Sequence, residues 1–387
     1  MIRILALNGE PVLQYNNLMS RKLWTAAVCC LVLFGCAPKE TADRKAFETV
    51  TATVLNTDQF GDVLFDLESI NLEYGDSVDV SFSGGYHIED IPFYPDFYGK
   101  RGDTILCDFF ETVCIAGIHH GFNDTAGIKD GETVTISLNE AGKYRDKYEA
   151  YHVDPDKTPW EGQTNAEFMN ARMVTTGKIE PGILHRSASP FEASFGRVEL
   201  MDSYIQANDI QCILDFGDTE EALHSYADLP VHTRQMINND QVICFEVGNE
   251  FADPVAMKSI GDGIKKMLGK EGPYLVQCSL GRDRTGVICA LFGMLCSASY
   301  DEIVEDYMIS YNLLHKVDIN LEVNPDSTQY DLFKARLDEI LEEILETDAE
   351  DLPTADLQTK TRDYFKRCGM TDEELDRLTE ILEGTAA

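Results

Sequence analysis

The sequence has 387 residues, of which 44% are hydrophobic, so the chain can form a sizeable core and two folded domains. It carries 68 acidic and 32 basic residues, which gives a formal net charge of -36. A field of this sign opposes nucleic acid and anionic surfaces at long range, so we predict no nucleic-acid partner. Its eleven cysteines lack the Cys-x2-Cys spacing of zinc sites, and we expect neither a metal nor a cofactor.

The N-terminal segment has the pattern of an export signal. Arg21 and Lys22 precede a short apolar run that ends in Leu-Phe-Gly-Cys36. This resembles the lipobox of bacterial lipoproteins, which implies that residues 1–36 are a leader, that translation starts at Met19, and that an acylated Cys36 becomes the mature N-terminus. The expected location is then the bacterial cell membrane, through a lipid anchor. The alternative is a buried apolar segment of a cytoplasmic protein.

Residues 45–150 have the pattern of a small antiparallel barrel or sandwich. Four segments alternate apolar and polar residues between turns that contain glycine or aspartate: Val50–Leu55, Val63–Leu67, Ser77–Phe82 and Thr133–Leu138. Cys107 and Cys114 are close in sequence and could form a disulfide or remain core thiols. Asp58–Asp62 and Gly127–Val134 resemble the C-terminal β-domain of S-adenosylmethionine hydroxide adenosyltransferases, without their catalytic half. We therefore expect an accessory domain with a structural or substrate-gating role.

Residues 160–387 alternate strands and helices. Strands are predicted at residues 182–185, 211–215, 241–246 and 274–277, and helices near residues 193–206, 254–268 and 285–296. Two further helices are expected at Tyr330–Leu345 and Thr371–Leu382, the second with Thr371 as its N-cap. The predicted fold class is α/β, a mixed sheet flanked by helices, preceded by a smaller mainly-β domain.

The segment from Tyr274 to Gly286 joins an apolar strand to a helix through a cysteine, five residues, an arginine and a threonine. Backbone N–H groups and a helix N-terminus at such a junction can hold a phosphate, here from residues Ser279, Leu280, Gly281, Arg282, Asp283 and Arg284. The same field stabilises the thiolate form of Cys278, which is the nucleophilic form. The fork of Arg284 matches two phosphoryl oxygens, and Thr285 could donate a hydrogen bond to the sulfur. A buried structural cysteine is the alternative interpretation.

At this loop the chain resembles the cysteine-dependent protein tyrosine phosphatase superfamily, in particular the atypical bacterial and fungal branch with the loop His-Cys-x-x-Gly-Lys-Asp-Arg-Thr-Gly. Gln277 replaces the histidine and Arg282 replaces the lysine. Three other segments resemble the family in the same order, Gly182–Pro190, Ile213–Asp218 and Asp301–Met308, so the likeness covers about residues 160–320.

The resemblance implies hydrolysis of phosphomonoesters, above all protein phosphotyrosine, through a cysteinyl-phosphate on Cys278. In this branch the aspartate before the arginine can be the general acid, which corresponds to Asp283, whereas other relatives use a separate loop, for which Asp253 is the candidate. Asp283 could instead only order the loop, and Arg186 is expected to support it. Two other functions remain open: a phosphoinositide or inositol-polyphosphate phosphatase, since Arg282 could contact a second phosphate, and a catalytically weak module that binds phosphorylated ligands.

Overall fold

The computed structural model describes residues 49–386, apart from residues 59–60, 101, 109–111, 119, 153–157, 194–195, 246, 249, 318 and 321–327. These described residues belong to one compact unit. The leader and Cys36 lie outside them. Of the helices that are described, none is both long and apolar enough to span a membrane.

The first part of the chain is a closed seven-stranded barrel. Its elements are β1 (Val50–Thr57), β2 (Val63–Phe65), β3 (Ser77–Phe82), β4 (His87–Tyr94), β5 (Thr104–Cys107), β6 (Cys114–Gly117), α1 (Phe122–Ala126) and β7 (Thr133–Glu140), followed by α2 (Arg145–Tyr151). The strand order is β1-β2-β6-β5-β4-β3-β7, and β7 closes the barrel by pairing with β1. Only β4 and β5 pair in parallel among these strands. The four segments that the sequence analysis predicts as strands overlap β1, β2, β3 and β7.

Cys107 and Cys114 lie directly opposite each other on β5 and β6. Both are buried thiols, and their Sγ atoms are 3.2 Å apart. With Tyr94 and Ile105 they help to form a small core on one face of β4, β5 and β6, whereas the alternate residues Phe93, Leu106 and Ile115 enter the main barrel core.

The second part of the chain is a mixed α/β unit. It consists of α3 (Asn165–Phe168), β8 (Arg172–Met173), β9 (Leu184–Ala188), α4 (Val198–Ala207), β10 (Cys212–Asp215), α5 (Glu220–Ser225), α6 (Val231–Asn238), β11 (Val242–Cys244), α7 (Pro254–Met267), β12 (Tyr274–Cys278), α8 (Asp283–Leu295), α9 (Tyr300–His315), α10 (Thr328–Leu345), α11 (Leu357–Arg367) and α12 (Asp372–Leu382). The predicted strands and helices of this part are all present, with ends shifted by a few residues. Thr371 is the N-cap of α12, as predicted, and accepts a hydrogen bond from the N–H of Glu374.

The five-stranded sheet has the order β11-β10-β12-β9-β8, in which only the β8–β9 pair is antiparallel. Alternate residues of each strand enter different cores: Leu214 and Val276 pack with α7 to α12, whereas Ile213 and Leu275 pack with α4, α5 and α6. The sheet is therefore covered on both faces. The carboxyl ends of the parallel strands β9, β10 and β12 lie at the same edge, which is where open α/β sheets bind ligands.

Helix α8 is the central helix of this unit. All residues from Thr285 to Leu295 are buried, so the helix has no polar face. Its first residue, Asp283, follows the loop that leaves β12. A buried helix on a buried strand gives this loop a rigid foundation.

Candidate active site

The loop after β12 is shaped by close packing against β9. Cys278 is the last residue of β12 and is 3% exposed. Gly281 has a φ of 65°, and a Cβ atom there would lie 2.1 Å from the backbone oxygen of Ser187. Only glycine fits both the left-handed backbone and this contact.

The carbonyls of residues 279–282 are held on the outside of the loop. The N–H of Ser189 donates to the carbonyl of Ser279 at 3.1 Å. The side-chain amide of Asn170 donates to the carbonyls of Leu280 and Gly281 at 3.1 and 2.9 Å. Arg186 Nη2 donates to the carbonyls of Gly281 and Arg282 at 2.9 and 3.4 Å. Because C=O and N–H point in opposite directions across a trans peptide, the following N–H groups are turned toward the inside.

These inward N–H groups are available to a ligand. Within the described part of the chain, no hydrogen bond is made by the backbone N–H groups of Ser279, Leu280, Arg282, Asp283 and Arg284. They lie between the Cys278 thiol and the positive end of the α8 dipole, which is the arrangement that binds a dianion without a metal.

Arg284 is oriented by the loop that follows β10. Its Nη1 atom donates to the carbonyl of Phe216 at 2.5 Å, and its other N–H groups have no hydrogen-bond partner among the described residues. A Cβ atom on Gly217 would lie 3.3 Å from the nitrogen of Ser279. The loop of residues 216–218 therefore packs directly against the cysteine loop.

A buried ion pair braces the site from behind. Arg186 is fully buried and pairs with Asp306, which also accepts from Arg172 Nε at 3.0 Å. Burial alone would raise the pKa of Asp306, but the two guanidinium groups outweigh it and hold the pKa below its ordinary value. The ion pair with Asp306 thus fixes Arg186 in the position from which it donates to the loop carbonyls. This is the supporting role that the sequence analysis expects for Arg186.

Asp283 is held by side chains of the same region. Arg282 donates to its carboxylate oxygens from Nε at 3.1 Å and from Nη2 at 2.9 Å, and Tyr311 Oη donates at 3.1 Å. Burial opposes ionisation, but Arg282, Arg336 and these hydrogen bonds hold the pKa of Asp283 well below its usual range. The hydrogen bonds from Arg282 and Tyr311 fit the ordering role of Asp283.

Arg282 is fully engaged by its neighbours. Besides Asp283, it donates from Nη1 to His315 Nε2 at 2.7 Å, and its guanidinium lies 5.0 Å from the ring centre of Tyr311. These contacts draw the guanidinium toward α9.

The other predicted site residues have local roles. Asp253 is exposed and is the N-cap of α7, where its carboxylate accepts the N–H groups of Val255 and Ala256 at 2.8 and 3.1 Å. The buried Thr285 hydroxyl has no hydrogen-bond partner within the described residues, so the expected bond to the cysteine sulfur is not present. The side-chain amide of Gln277 is likewise buried without a partner there.

Several residues of the site have no assigned role in the sequence analysis. Asn170 and Asp306 hold the loop, Glu192 Oε2 accepts from Ser279 Oγ at 2.6 Å, and Tyr226 Oη donates to Asp218 at 2.8 Å. Asp218 and Asp306 fall in segments that resemble the phosphatases, which was a usable signal. No pattern in the sequence marks Asn170, Glu192 or Tyr226.

The sequence model of the tyrosine phosphatase family matches residues 167–383, which is more than half of the chain. The chain belongs to the tyrosine phosphatase family. It is accordingly a phosphatase, a hydrolase whose substrates are phosphorylated. The matched residues contain the whole five-stranded sheet and the cysteine loop.

Two other comparisons add little to this assignment. No curated protein matches the chain. Among solved structures, the crystal structure of an uncharacterized conserved protein from Thermotoga maritima has 18% sequence identity and a TM-score of 0.21. The match covers 23% of this chain and 35% of the Thermotoga protein. Among the described residues, no group of three or more His, Cys, Asp or Glu side chains could hold a metal ion.

Proposed function

We propose that this phosphatase hydrolyses phosphomonoesters, with protein phosphotyrosine as its main substrate, through a cysteinyl-phosphate intermediate on Cys278. One observation carries the proposal: outward-held carbonyls leave a set of N–H groups with no hydrogen-bond partner among the described residues around a buried thiol, and Arg284 lies beside them. This constellation matches a phosphoryl group in charge and shape.

The mechanism follows from that geometry. The N–H groups of residues 279–284 and the fork of Arg284 hold the three non-bridging oxygens, so that the phosphorus faces the Cys278 sulfur. The thiolate attacks, the P–O bond to the leaving group breaks, and an S–P bond forms. Water then cleaves the S–P bond and regenerates the thiolate, so one difficult hydrolysis becomes two easier steps.

Two features support phosphotyrosine over other phosphate esters. Cys278 is only 3% exposed, so a phosphoryl group must reach inward, and a phenyl ring reaches farther than the short side chain of phosphoserine. Arg282 is occupied by Asp283 and His315, which leaves it poorly placed for the second phosphate of an inositol polyphosphate or phosphoinositide. The presence of the nucleophile Cys278 together with Arg284 favours turnover over mere binding.

The β-barrel, within residues 45–150, is proposed to limit access to the site. Its α2 packs against α10 of the phosphatase part, residues 160–387, and Gln329 donates to the carbonyl of Ala150 at 3.5 Å. Burial raises the pKa of Tyr98, in the β-domain, to about 12, although the positive charges of Arg336 and Arg282 act to lower it. The barrel thus contacts the phosphatase part at α10.

We further propose that the leader of residues 1–36 directs export and that acylation of Cys36 anchors the protein to the bacterial membrane. One acyl chain gives only marginal binding, so stable attachment needs the two or more chains of a lipoprotein. Mass analysis of the mature N-terminus from native membranes tests this. Unmodified, full-length protein in the cytosol would contradict it.

The test of function compares four substrate classes on one preparation: a phosphotyrosine peptide, the same peptide with phosphoserine, inositol phosphates and phosphoinositide vesicles. We expect the phosphotyrosine peptide to have the highest kcat/KM, and Cys278→Ser to abolish turnover while phosphate still binds, because an alcohol is a far poorer nucleophile than a thiolate. Preferred hydrolysis of inositol phosphates or phosphoinositides would replace the substrate assignment. An active Cys278→Ser variant would reject the mechanism.

A further inference from the structure

A carboxyl group that the proposed mechanism leaves unused lies beside the cysteine loop. Asp218 follows Gly217, and a Cβ atom on that glycine would lie only 3.3 Å from the nitrogen of Ser279 and 3.4 Å from the carbonyl carbon of Cys278. Two residues before Asp218, the carbonyl of Phe216 accepts a hydrogen bond from Arg284 at 2.5 Å. Asp218 is therefore tied to both the nucleophile and the phosphate-binding arginine through its own loop.

The side chain of Asp218 is anchored at one oxygen only. Tyr226 Oη donates to its Oδ1 at 2.8 Å, whereas Oδ2 makes no hydrogen bond with any described residue. Asp218 is partly exposed, and its carboxyl group lies close enough to Arg284 for that charge to lower its pKa. A carboxyl with one fixed and one free oxygen can exchange a proton without losing its position.

We propose that Asp218 is the general acid of this phosphatase: it donates a proton to the leaving-group oxygen while Cys278 attacks phosphorus. The assignment rests on the proposed function and goes beyond it by naming the residue that supplies the proton. The proposal gives the role of general acid to Asp218 and not to Asp283 or Asp253, the two candidates from the sequence analysis.

The surroundings of Asp218 favour its protonated form. Burial and the charge of Glu192 raise the pKa of Asp218, while the hydrogen bond from Tyr226 and the charge of Arg284 lower it, and the net direction is upward. Asp215, on the strand before it, also faces Asp218, and Cys244 and Glu220 lie in the same electrostatic environment. The pKa of Asp283, in contrast, is lowered, because burial is outweighed by the charges of Arg282 and Arg336 and by hydrogen bonds.

Asp215 is the other carboxyl of this loop, but it is a positioning residue. It is fully buried, and its Oδ1 accepts the N–H groups of Gly217 and Asp218 at 2.7 and 3.1 Å. It therefore fixes the turn that presents Asp218 and has no access to substrate.

The chemistry balances with these groups alone. In the first step the S–P bond forms, the P–O bond to the leaving group breaks, and the leaving oxygen takes the Asp218 proton. In the second step the Asp218 carboxylate takes a proton from water as the water oxygen bonds to phosphorus and the S–P bond breaks. Inorganic phosphate leaves, and both Asp218 and the thiolate return to their starting states.

The test is a leaving-group series. Aryl phosphates whose phenols span a wide range of pKa are assayed with the parent, Asp218→Asn, Asp283→Asn and Asp253→Asn, and kcat/KM is used because it reports the first chemical step. We expect Asp218→Asn to lose about 10²–10⁴-fold on poor leaving groups, as expected for general acid catalysis, and much less on good ones. Asp228→Asn, an exposed aspartate of the next segment, is the matched control.

Two further readouts separate proton transfer from a structural role. The inhibition constant for inorganic phosphate should be unchanged in Asp218→Asn, and Asp218→Glu should recover part of the activity. Tyr226→Phe should move the alkaline limb of the pH profile to higher pH, because it removes a hydrogen bond that lowers the pKa of Asp218.

The outcomes are distinct. A loss in Asp218→Asn that is equal for all leaving groups, or a leaving-group dependence in Asp283→Asn or Asp253→Asn instead, overturns the assignment while the proposed function stands. A parent enzyme that hydrolyses no aryl phosphate overturns the proposed function, and the assignment falls with it.

Discussion

The contact between Gly281 and β9 leads to the sharpest prediction for the cysteine loop. In Gly281→Ala, the new methyl carbon would lie 2.1 Å from the oxygen and 2.2 Å from the carbon of Ser187, both of them backbone atoms that cannot rotate away. Ordinary contact between such atoms is about 3.5 Å, so the loop must move by roughly 1 Å relative to β9. The N–H groups that bind phosphate would move with it.

The expected magnitude follows from that displacement. A misplacement of about 1 Å in a catalytic constellation costs on the order of 100-fold in rate. Overpacking costs typically about 1–3 kcal/mol of stability, and a left-handed backbone costs a non-glycine residue about 1–2 kcal/mol. We therefore expect Gly281→Ala to remain folded with a reduced Tm and to lose about 100-fold in kcat/KM.

The assay has a control that isolates backbone strain. Gly127 has a φ of 67°, close to that of Gly281, but a Cβ atom there would meet nothing within 4 Å. Gly127→Ala should lose about 1 kcal/mol of stability and keep its kcat/KM with a phosphotyrosine peptide. If Gly281→Ala retains the parent kcat/KM, the loop does not depend on this contact and the reasoning is refuted.

Three other predictions concern the groups around the loop. Arg284→Lys should lose most of its kcat/KM, because a point charge cannot replace the bidentate fork; unchanged kinetics would show that Arg284 does not hold the phosphoryl group. Asp306→Asn should lower the free energy of unfolding by about 3–5 kcal/mol, since it leaves buried Arg186 without its partner; denaturant titration measures this, and an unchanged midpoint would contradict it. Burial raises the pKa of Asp215 to about 8, so its folded form binds a proton that the unfolded chain releases near pH 4. The stabilisation from protonated Asp215 is therefore complete below pH 4 and is lost as the pH rises toward 8, by up to about 1.4 kcal/mol per pH unit. Asp215→Asn should flatten the pH dependence of the free energy of unfolding over this range. The same pH dependence in parent and variant would rule this out.

The sequence predicts the cysteine loop because its parts are contiguous. The strand, Cys278, Gly281 and Arg284 all lie within one continuous segment, so the spacing of these residues is enough to predict how the loop is built. The braces are different: Asn170 lies 110 residues before the carbonyl of Leu280 that it holds, and Arg172 lies 134 residues before Asp306. Such contacts depend on the topology of the sheet, which no local pattern encodes.

Side-chain direction and barrel closure also lie beyond the sequence pattern. Asp283 is adjacent to arginine on both sides, but only the packing of α9 decides that its carboxylate meets Arg282 and Tyr311. In the β-domain, alternation of apolar and polar residues fits a barrel and a sandwich equally. The pairing of β1 with β7 closes the barrel, and that pairing joins strands about 80 residues apart.

Covalent catalysis by Cys278 is tested most directly by trapping the cysteinyl-phosphate intermediate. The parent enzyme is mixed with an aryl phosphate that has a good leaving group, quenched within the first turnover, digested and analysed by mass spectrometry, with Cys278→Ser treated in parallel. We expect one phosphoryl group on the peptide that contains Cys278, and none at that position in the variant. Turnover with no phosphorylated cysteine, or with the phosphoryl group on another residue, would contradict it.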